Sequence, residues 1–106
     1  MNYQKVAESM LEIFPAHEQM SIREWEVGGK VINLVRVGDR IHACAHRCPH
    51  AGAKMVEGYL DARGFLVCPL HRYRFDPVNG RNVSGEGYWL KTYPVEVRED
   101  GVYVAV

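Results

Sequence analysis

The side chains able to do chemistry lie in two short motifs. Cys48-Pro49-His50 is a C-x-H and Cys68-Pro69-Leu70-His71 a C-x-x-H, with 17 residues between them. Each supplies one soft thiolate and one imidazole, two metal ligands of different charge. Four such ligands suit two kinds of centre. One is a binuclear iron–sulfur cluster in which one iron takes two cysteines and the other two histidines. The other is a tetrahedral zinc site of two cysteines and two histidines. Spacing alone admits both. Common zinc fingers keep like ligands together, whereas each motif here carries one of each, and that division favours iron–sulfur. A zinc-stabilised structural module stands as the alternative.

A second register exists, because Cys44-Ala45-His46 is also a C-x-H. It falls in the strand-like run Ile41–Ala45 and lacks the proline that mirrors Cys68-Pro69. Cys44 therefore reads as a small buried hydrophobe, and His42 and His46 as polar residues near a strand end. Only His17, His42 and His46 lie outside the two motifs. A mononuclear oxygenase iron needs two histidines and a carboxylate, and two of these three sit beside the first motif. A catalytic domain has no room, so the chain reads as a non-enzyme.

The elements that must carry the motifs are strands. Ile22, Glu24, Glu26 alternate with Arg23, Trp25, Val27, the period of a strand. Gly28-Gly29 signals a tight hairpin into Lys30–Val37, which is rich in β-branched residues. Gly38-Asp39 turns into a third strand, Arg40–Ala45, which delivers the chain to the first motif. Tyr59-Leu60 and Phe65–Val67 flank Asp61–Gly64 as a hairpin whose second strand leads into Cys68. Arg72–Phe75 leaves the second motif, and Asp76–Gly80 is a turn. Leu90–Arg98 and Val102–Val106, joined by Glu99-Asp100-Gly101, close the chain as a hairpin. Near the N-terminus, Tyr3, Val6, Met10, Leu11 and Phe14 suit an amphipathic helix ending at Pro15. The alternative, preferred on the resemblance described below, is a short strand Gln4–Ala7 with one helical turn at Ser9–Ile13. The expected fold is all-β, an antiparallel sandwich or barrel with a small metal-binding subdomain inserted around residues 46–76.

At 106 residues, one domain is expected. Thirteen basic and thirteen acidic residues give no net charge, which argues against nucleic-acid binding driven by bulk charge. No run approaches a membrane span of about 18 apolar residues. The N-terminal segment, with Lys5, Glu8 and Glu12, does not read as a signal peptide. Three cysteines suit a secreted disulfide scaffold poorly, so a cytoplasmic location is expected.

Arg47-Cys48-Pro49-His50-Ala51-Gly52-Ala53 and Val67-Cys68-Pro69-Leu70-His71-Arg72-Tyr73-Arg74-Phe75-Asp76 resemble the two boxes of Rieske-type [2Fe–2S] ferredoxins. Asn79-Gly80 is similar to the turn that commonly follows, and Leu90–Val97 with Asp100-Gly101 to the last hairpin. The resemblance covers nearly the whole chain. It implies a single Rieske domain over 1–106, with a base of about 1–45 and 77–106 and a cluster-binding subdomain of about 46–76. It implies one [2Fe–2S] cluster per chain. Cys48 and Cys68 would hold the inner iron as thiolates, and His50 and His71 the outer iron as neutral imidazoles. It implies a one-electron carrier, monomeric, passing electrons from a flavin-containing reductase to a terminal oxygenase or other redox enzyme. The small subunit of a nitrite-reductase-like complex has a similar fold and is the second reading.

Two departures stand out. Arg72 occupies a position where the family most often has glycine, and Ser84-Gly85-Glu86-Gly87 replaces a proline-bearing loop. High-potential relatives add a disulfide at the positions of Ala53 and Leu70, which is absent here, and hydroxyl donors at those of Tyr73 and Phe75. Phe75 cannot donate, and the Tyr73 hydroxyl, at the end of a ring, does not reach as a serine hydroxyl would. The resemblance therefore implies a low reduction potential. The expected exposed tip is Arg47, Pro49, His50, Lys54, Met55, Pro69, Leu70, His71, Arg72 and Tyr73, apolar at its centre with a basic rim.

Overall fold

β-Branched runs separated by glycine turns leave the chain little choice but strands. The computed structural model describes residues 2–49, 52–70, 72–85 and 87–106. Its strands are β1 (Tyr3–Ala7), β2 (Met20–Val27), β3 (Lys30–Val37), β4 (Arg40–Ala45), β5 (Tyr59–Leu60), β6 (Leu66–Val67), β7 (Arg74–Phe75), β8 (Thr92–Tyr93), β9 (Val95–Arg98) and β10 (Gly101–Ala105). One four-residue helix, α1 (Met10–Ile13), follows β1. The amphipathic spacing of Tyr3 to Phe14 thus resolves as the strand plus one helical turn. Val6 and Met10 pack against the same apolar core that buries Ile13 and Phe14.

The strands form three antiparallel sheets, in the orders β1-β10-β9, β2-β3-β4-β8 and β5-β6-β7. The second sheet is the middle layer. Ile32 and Leu34 of β3, Val27 of β2 and Ile41 and Ala43 of β4 face one core, shared with Ala7, Val102 and Val104 of the first sheet and with Phe14. Val35 of β3 and Cys44 of β4 face a second core with Cys48, Met55, Leu66, Cys68, Phe75 and Leu90. Burial on both faces explains why Ile32–Arg36 is buried without a break. The fold is therefore an all-β antiparallel sandwich, with the small third sheet packed on one face of the second.

One expected strand is two in the structure. Leu90–Arg98 is not a single strand. Pro94 has no backbone N–H to give to a ladder, and the chain changes sheets there. Thr92 pairs with Cys44 and Tyr93 with Ala43, while Val95–Val97 pair with β10.

Beyond β7 the third sheet continues as a ribbon. Phe75 bridges to Asn82, and Arg81 bridges to Trp89. Gly80 lets the two arms of the ribbon meet. Its φ is +78°, and a Cβ there would lie 1.8 Å from the carbonyl oxygen of Leu90. Gly80→Ala combines an overpacked contact with left-handed strain, and is expected to lower stability by about 3 kcal/mol or more. Denaturant unfolding checks this, and a loss under about 1 kcal/mol would contradict it.

Candidate iron–sulfur centre

β4 and β6 run directly into the two motifs, and each motif folds as a loop of the same length. In the first, the Cys48 N–H donates to Ala53 O at 2.8 Å, and the Gly52 N–H donates to Cys48 O at 2.8 Å. In the second, the Cys68 N–H donates to Tyr73 O at 2.9 Å. The cysteine thus bonds the fifth residue after it in both loops. The fourth residue after it is left-handed in both: Gly52 has φ +71° and Arg72 φ +56°. Arg72 is the only non-glycine with positive φ among the described residues. The two loops thus share the closing bond and the left-handed fourth residue, although the sequence sets the histidine at +2 in one and +3 in the other.

Braces hold the first loop. Arg47 Nη1 donates to Gly52 O at 2.8 Å. Arg47 and Lys54 form a bridge, and the Met55 N–H donates to His46 O at 2.9 Å. Gly58 supports the second loop. A Cβ there would fall 1.9 Å from Val67 O, just ahead of Cys68. Neither the Arg47 clamp nor the Gly58 approach is legible in the sequence, since both depend on backbone atoms brought close by the fold.

The loops bring their cysteines together. Cys48 is 2% exposed and Cys68 fully buried, and neither is in a disulfide. Burial pushes the Cys68 thiol up from its ordinary value. The Leu70 N–H, bonded to it, pulls it down, and the hydrogen-bonded Cys48 thiol beside it pushes it up again. Thiolate charge in an apolar core is costly unless a cation compensates it, and the iron of a cluster would supply that charge. The Leu70 N–H bonded to the Cys68 sulfur is the kind of donor that tunes a cluster. The described donors therefore fit the group. His50 and His71 lie outside the described residues.

Cys44 behaves as the buried hydrophobe expected of it. It is fully buried in the second core, and burial pushes its thiol up to about 12. Among the described residues no three His, Cys, Asp or Glu side chains are arranged to hold a metal, so Cys44 and His46 do not assemble a rival site with Cys48 or Cys68. His42 is half-buried. Burial lowers its pKa foremost and Arg40 adds to that, against the opposing charge of Asp76.

The expected tip needs three corrections. Met55 is fully buried in the second core, because the 3₁₀ turn Met55–Glu57 points it inward. Lys54 leans 3.8 Å from Glu24 of β2 and is only partly exposed. Tyr73 is half-buried and carries a neighbour that the sequence did not suggest. Tyr88 stacks on it with ring centroids 6.4 Å apart and planes 21° from parallel. The segment before β8 thus lies against the second loop.

A three-layered β-sandwich whose equivalent Cys-Pro loops seat two buried thiols together is the architecture of a Rieske-type iron–sulfur protein. The chain belongs to that family: residues 10–94 match the Rieske [2Fe–2S] domain, a domain that carries one [2Fe–2S] cluster. It is 37% identical over 79 residues to the ferredoxin component of a naphthalene 1,2-dioxygenase system from Pseudomonas aeruginosa, covering 74% of this chain and 75% of that one. It is 30% identical over 80 residues to the ferredoxin component of an alkene monooxygenase system from Xanthobacter autotrophicus, covering 76% of this chain and 66% of the relative. Its fold superposes on a chain from the complex of reduced oxygenase and oxidised ferredoxin in carbazole 1,9a-dioxygenase, with TM-score 0.78 and 32% identity, over 97% and 92% of the two chains. A nitrite reductase small-subunit structure from Mycobacterium tuberculosis matches as well in shape, TM-score 0.79 over 97% and 93% of the chains, but at 19% identity it attests the fold alone.

Two outcomes follow from this geometry. Arg72→Gly should leave stability unchanged or raise it by up to about 1 kcal/mol, since glycine relieves the left-handed strain while adding freedom to the unfolded chain. A loss above about 1 kcal/mol would show that the arginine side chain itself is held. Cys44→Ala should keep the cluster's paramagnetic signal. The raised Cys44 value means the unfolded thiol ionises first, so wild-type stability falls as pH rises from about 9 towards 12. Alkaline unfolding of the two proteins checks this: the wild type should lose more over that window than Cys44→Ala.

Proposed function

We propose that this chain is a non-catalytic one-electron carrier that takes electrons from a flavin-containing reductase and passes them to a terminal oxygenase. The observation that carries the reading is the burial of Cys48 and Cys68 side by side in equivalent loops. In this proposal Cys48 and Cys68 bind the inner iron, and His50 and His71 bind the outer one. When bound, the cluster supplies one reversible electron. The chain's own residues hold it, exclude water from its sulfurs and leave its histidine end towards a partner. The division into a base of about 1–45 and 77–106 and a cluster-binding part of about 46–76 is supported by the two separate apolar cores, with Leu90 of the later segment joining the second. The carrier works as a monomer in the cytoplasm. No described helix is long and apolar enough to cross a membrane.

Relatives named as ferredoxin components share 30–39% identity with this chain, which supports the mobile carrier over a fixed enzyme subunit. Electron paramagnetic resonance of the dithionite-reduced protein, with iron and zinc measured on the same sample, tests the centre. A rhombic signal of low average g at two irons per chain is expected. No signal with one zinc per chain would overturn it. His50→Ala and His71→Ala should abolish the signal, as should Cys48→Ser and Cys68→Ser.

The potential should be low. Phe75 is fully buried under the second loop and offers no donor. A cluster with fewer donors to its sulfurs gains less stabilisation on reduction. A midpoint in the lower part of the range of about −150 to +300 mV is expected. Protein-film voltammetry giving a clearly positive midpoint near neutral pH would contradict it.

A further inference from the structure

The ribbon that follows the second loop has two faces. Phe75, Asn82 and Leu90 are buried, at 0%, 7% and 2% exposure, and define its inner face. Their chain neighbours Arg74, Arg81 and Trp89 are all exposed, as strand alternation requires of an outer face. Trp89 is 62% exposed. Arg81 is its bridged cross-strand partner, so the two side chains stand on the same side of the ribbon. Arg72 is exposed in the loop that leads into β7.

Charge singles out this end of the molecule. Residues 46–91 carry seven Lys or Arg against four Asp or Glu, while the rest of the chain carries six against nine. The formal balance of zero hides a basic excess in the segment that carries the two loops and the ribbon and an acidic excess in the rest of the chain. Arg72, Arg74 and Arg81 make no ion pair among the described residues, whereas Arg23 pairs with Glu18 and Arg98 with Glu96 at the base. Unpaired guanidinium groups around an exposed indole are the composition of an interaction hot spot. The same basic face would repel a second copy of itself.

We propose that Arg74, Arg81 and Trp89, continued by Arg72, form a docking surface for an acidic protein partner, with Trp89 as its anchor. The surface extends contact beyond the histidine tip along one side of the second loop. It lies close enough to orient transfer: Tyr88, next to Trp89, stacks on Tyr73, whose carbonyl accepts the Cys68 N–H. The inference rests on the carrier reading above and names the chemistry of its acceptor, a rim of carboxylates around the acceptor's own cofactor. The arginines steer the encounter and the indole slows escape.

The test uses the reduced holoprotein and, as acceptor, the oxygenase component of a naphthalene 1,2-dioxygenase system, with that system's own ferredoxin as working control. Stopped-flow traces give the second-order transfer rate as a function of ionic strength. The paired variant Arg74→Glu with Arg81→Glu is expected to slow transfer about 10-fold at low salt and to flatten its salt dependence. Trp89→Ala should weaken apparent affinity about 5- to 30-fold, as a truncated hot spot does. Both variants should keep the wild-type paramagnetic signal and midpoint, which separates lost docking from a damaged centre. Wild-type rates and salt dependence in both variants would overturn the surface while leaving the carrier reading intact. Failure of the wild-type protein to reduce an oxygenase that its control reduces would overturn the carrier reading, and the surface with it. A concentration-dependent dimer dissolved by Trp89→Ala would assign the face to a second copy and overturn the acidic partner.

Discussion

Everything in this molecule hangs on β3 being buried on both faces. A strand in the middle layer must satisfy two apolar cores at once, so its register cannot slip by one residue without moving Ile32 and Leu34 out of one core and Val35 out of the other. β4 is locked to β3 over six residue pairs. The end of β4 is therefore a rigid point, and the first loop departs from it three residues before Cys48. The second loop inherits the same rigidity less directly, because Leu66 and Phe75 on either side of it pack into the core that Val35 and Cys44 floor.

From that platform two loops of unlike sequence close in the same way. The hydrogen bond from each cysteine N–H to the fifth residue on, and the left-handed fourth residue, are shared by Cys48–Ala53 and Cys68–Tyr73. Glycine meets the left-handed requirement at no steric cost in the first loop, while Arg72 meets it at some cost in the second. A strained residue persists where its surroundings over-determine it. Here the Cys68–Tyr73 bond closes the loop on both sides of Arg72, and the exposed side chain is a charge beside the second loop. The same segment carries Arg74, Arg81 and the exposed Trp89.

Local signals in the sequence carried much of the architecture. The strand pairs around Gly28-Gly29 and Gly38-Asp39, the hairpin over Asp61–Gly64 and the two Cys-Pro motifs were legible, because turn residues and strand periodicity act over a few positions. Leu90–Arg98 reads as one strand because it is continuously strand-like in composition. Only the competition of two sheets for its backbone makes Pro94 a crossing point. Met55 reads as part of the exposed tip because nothing nearby in the sequence reveals the 3₁₀ turn that directs it inward. Tyr88 gave no sign of its stack on Tyr73, since the two are 15 residues apart.

The sequence by itself determined the ligand types, the spacing of the two motifs and the all-β character, since these rest on side-chain chemistry and short-range periodicity. The strand-like run around Cys44 also marked it as a buried filler, but only tertiary structure brings Cys48 and Cys68 together. It also decided that Arg72 stands in a glycine's conformation, and that Arg74, Arg81 and Trp89 share one face. The reason is the same in each case. Burial, loop closure and cross-strand pairing are set by which distant segments pack together, and no window of sequence contains both partners.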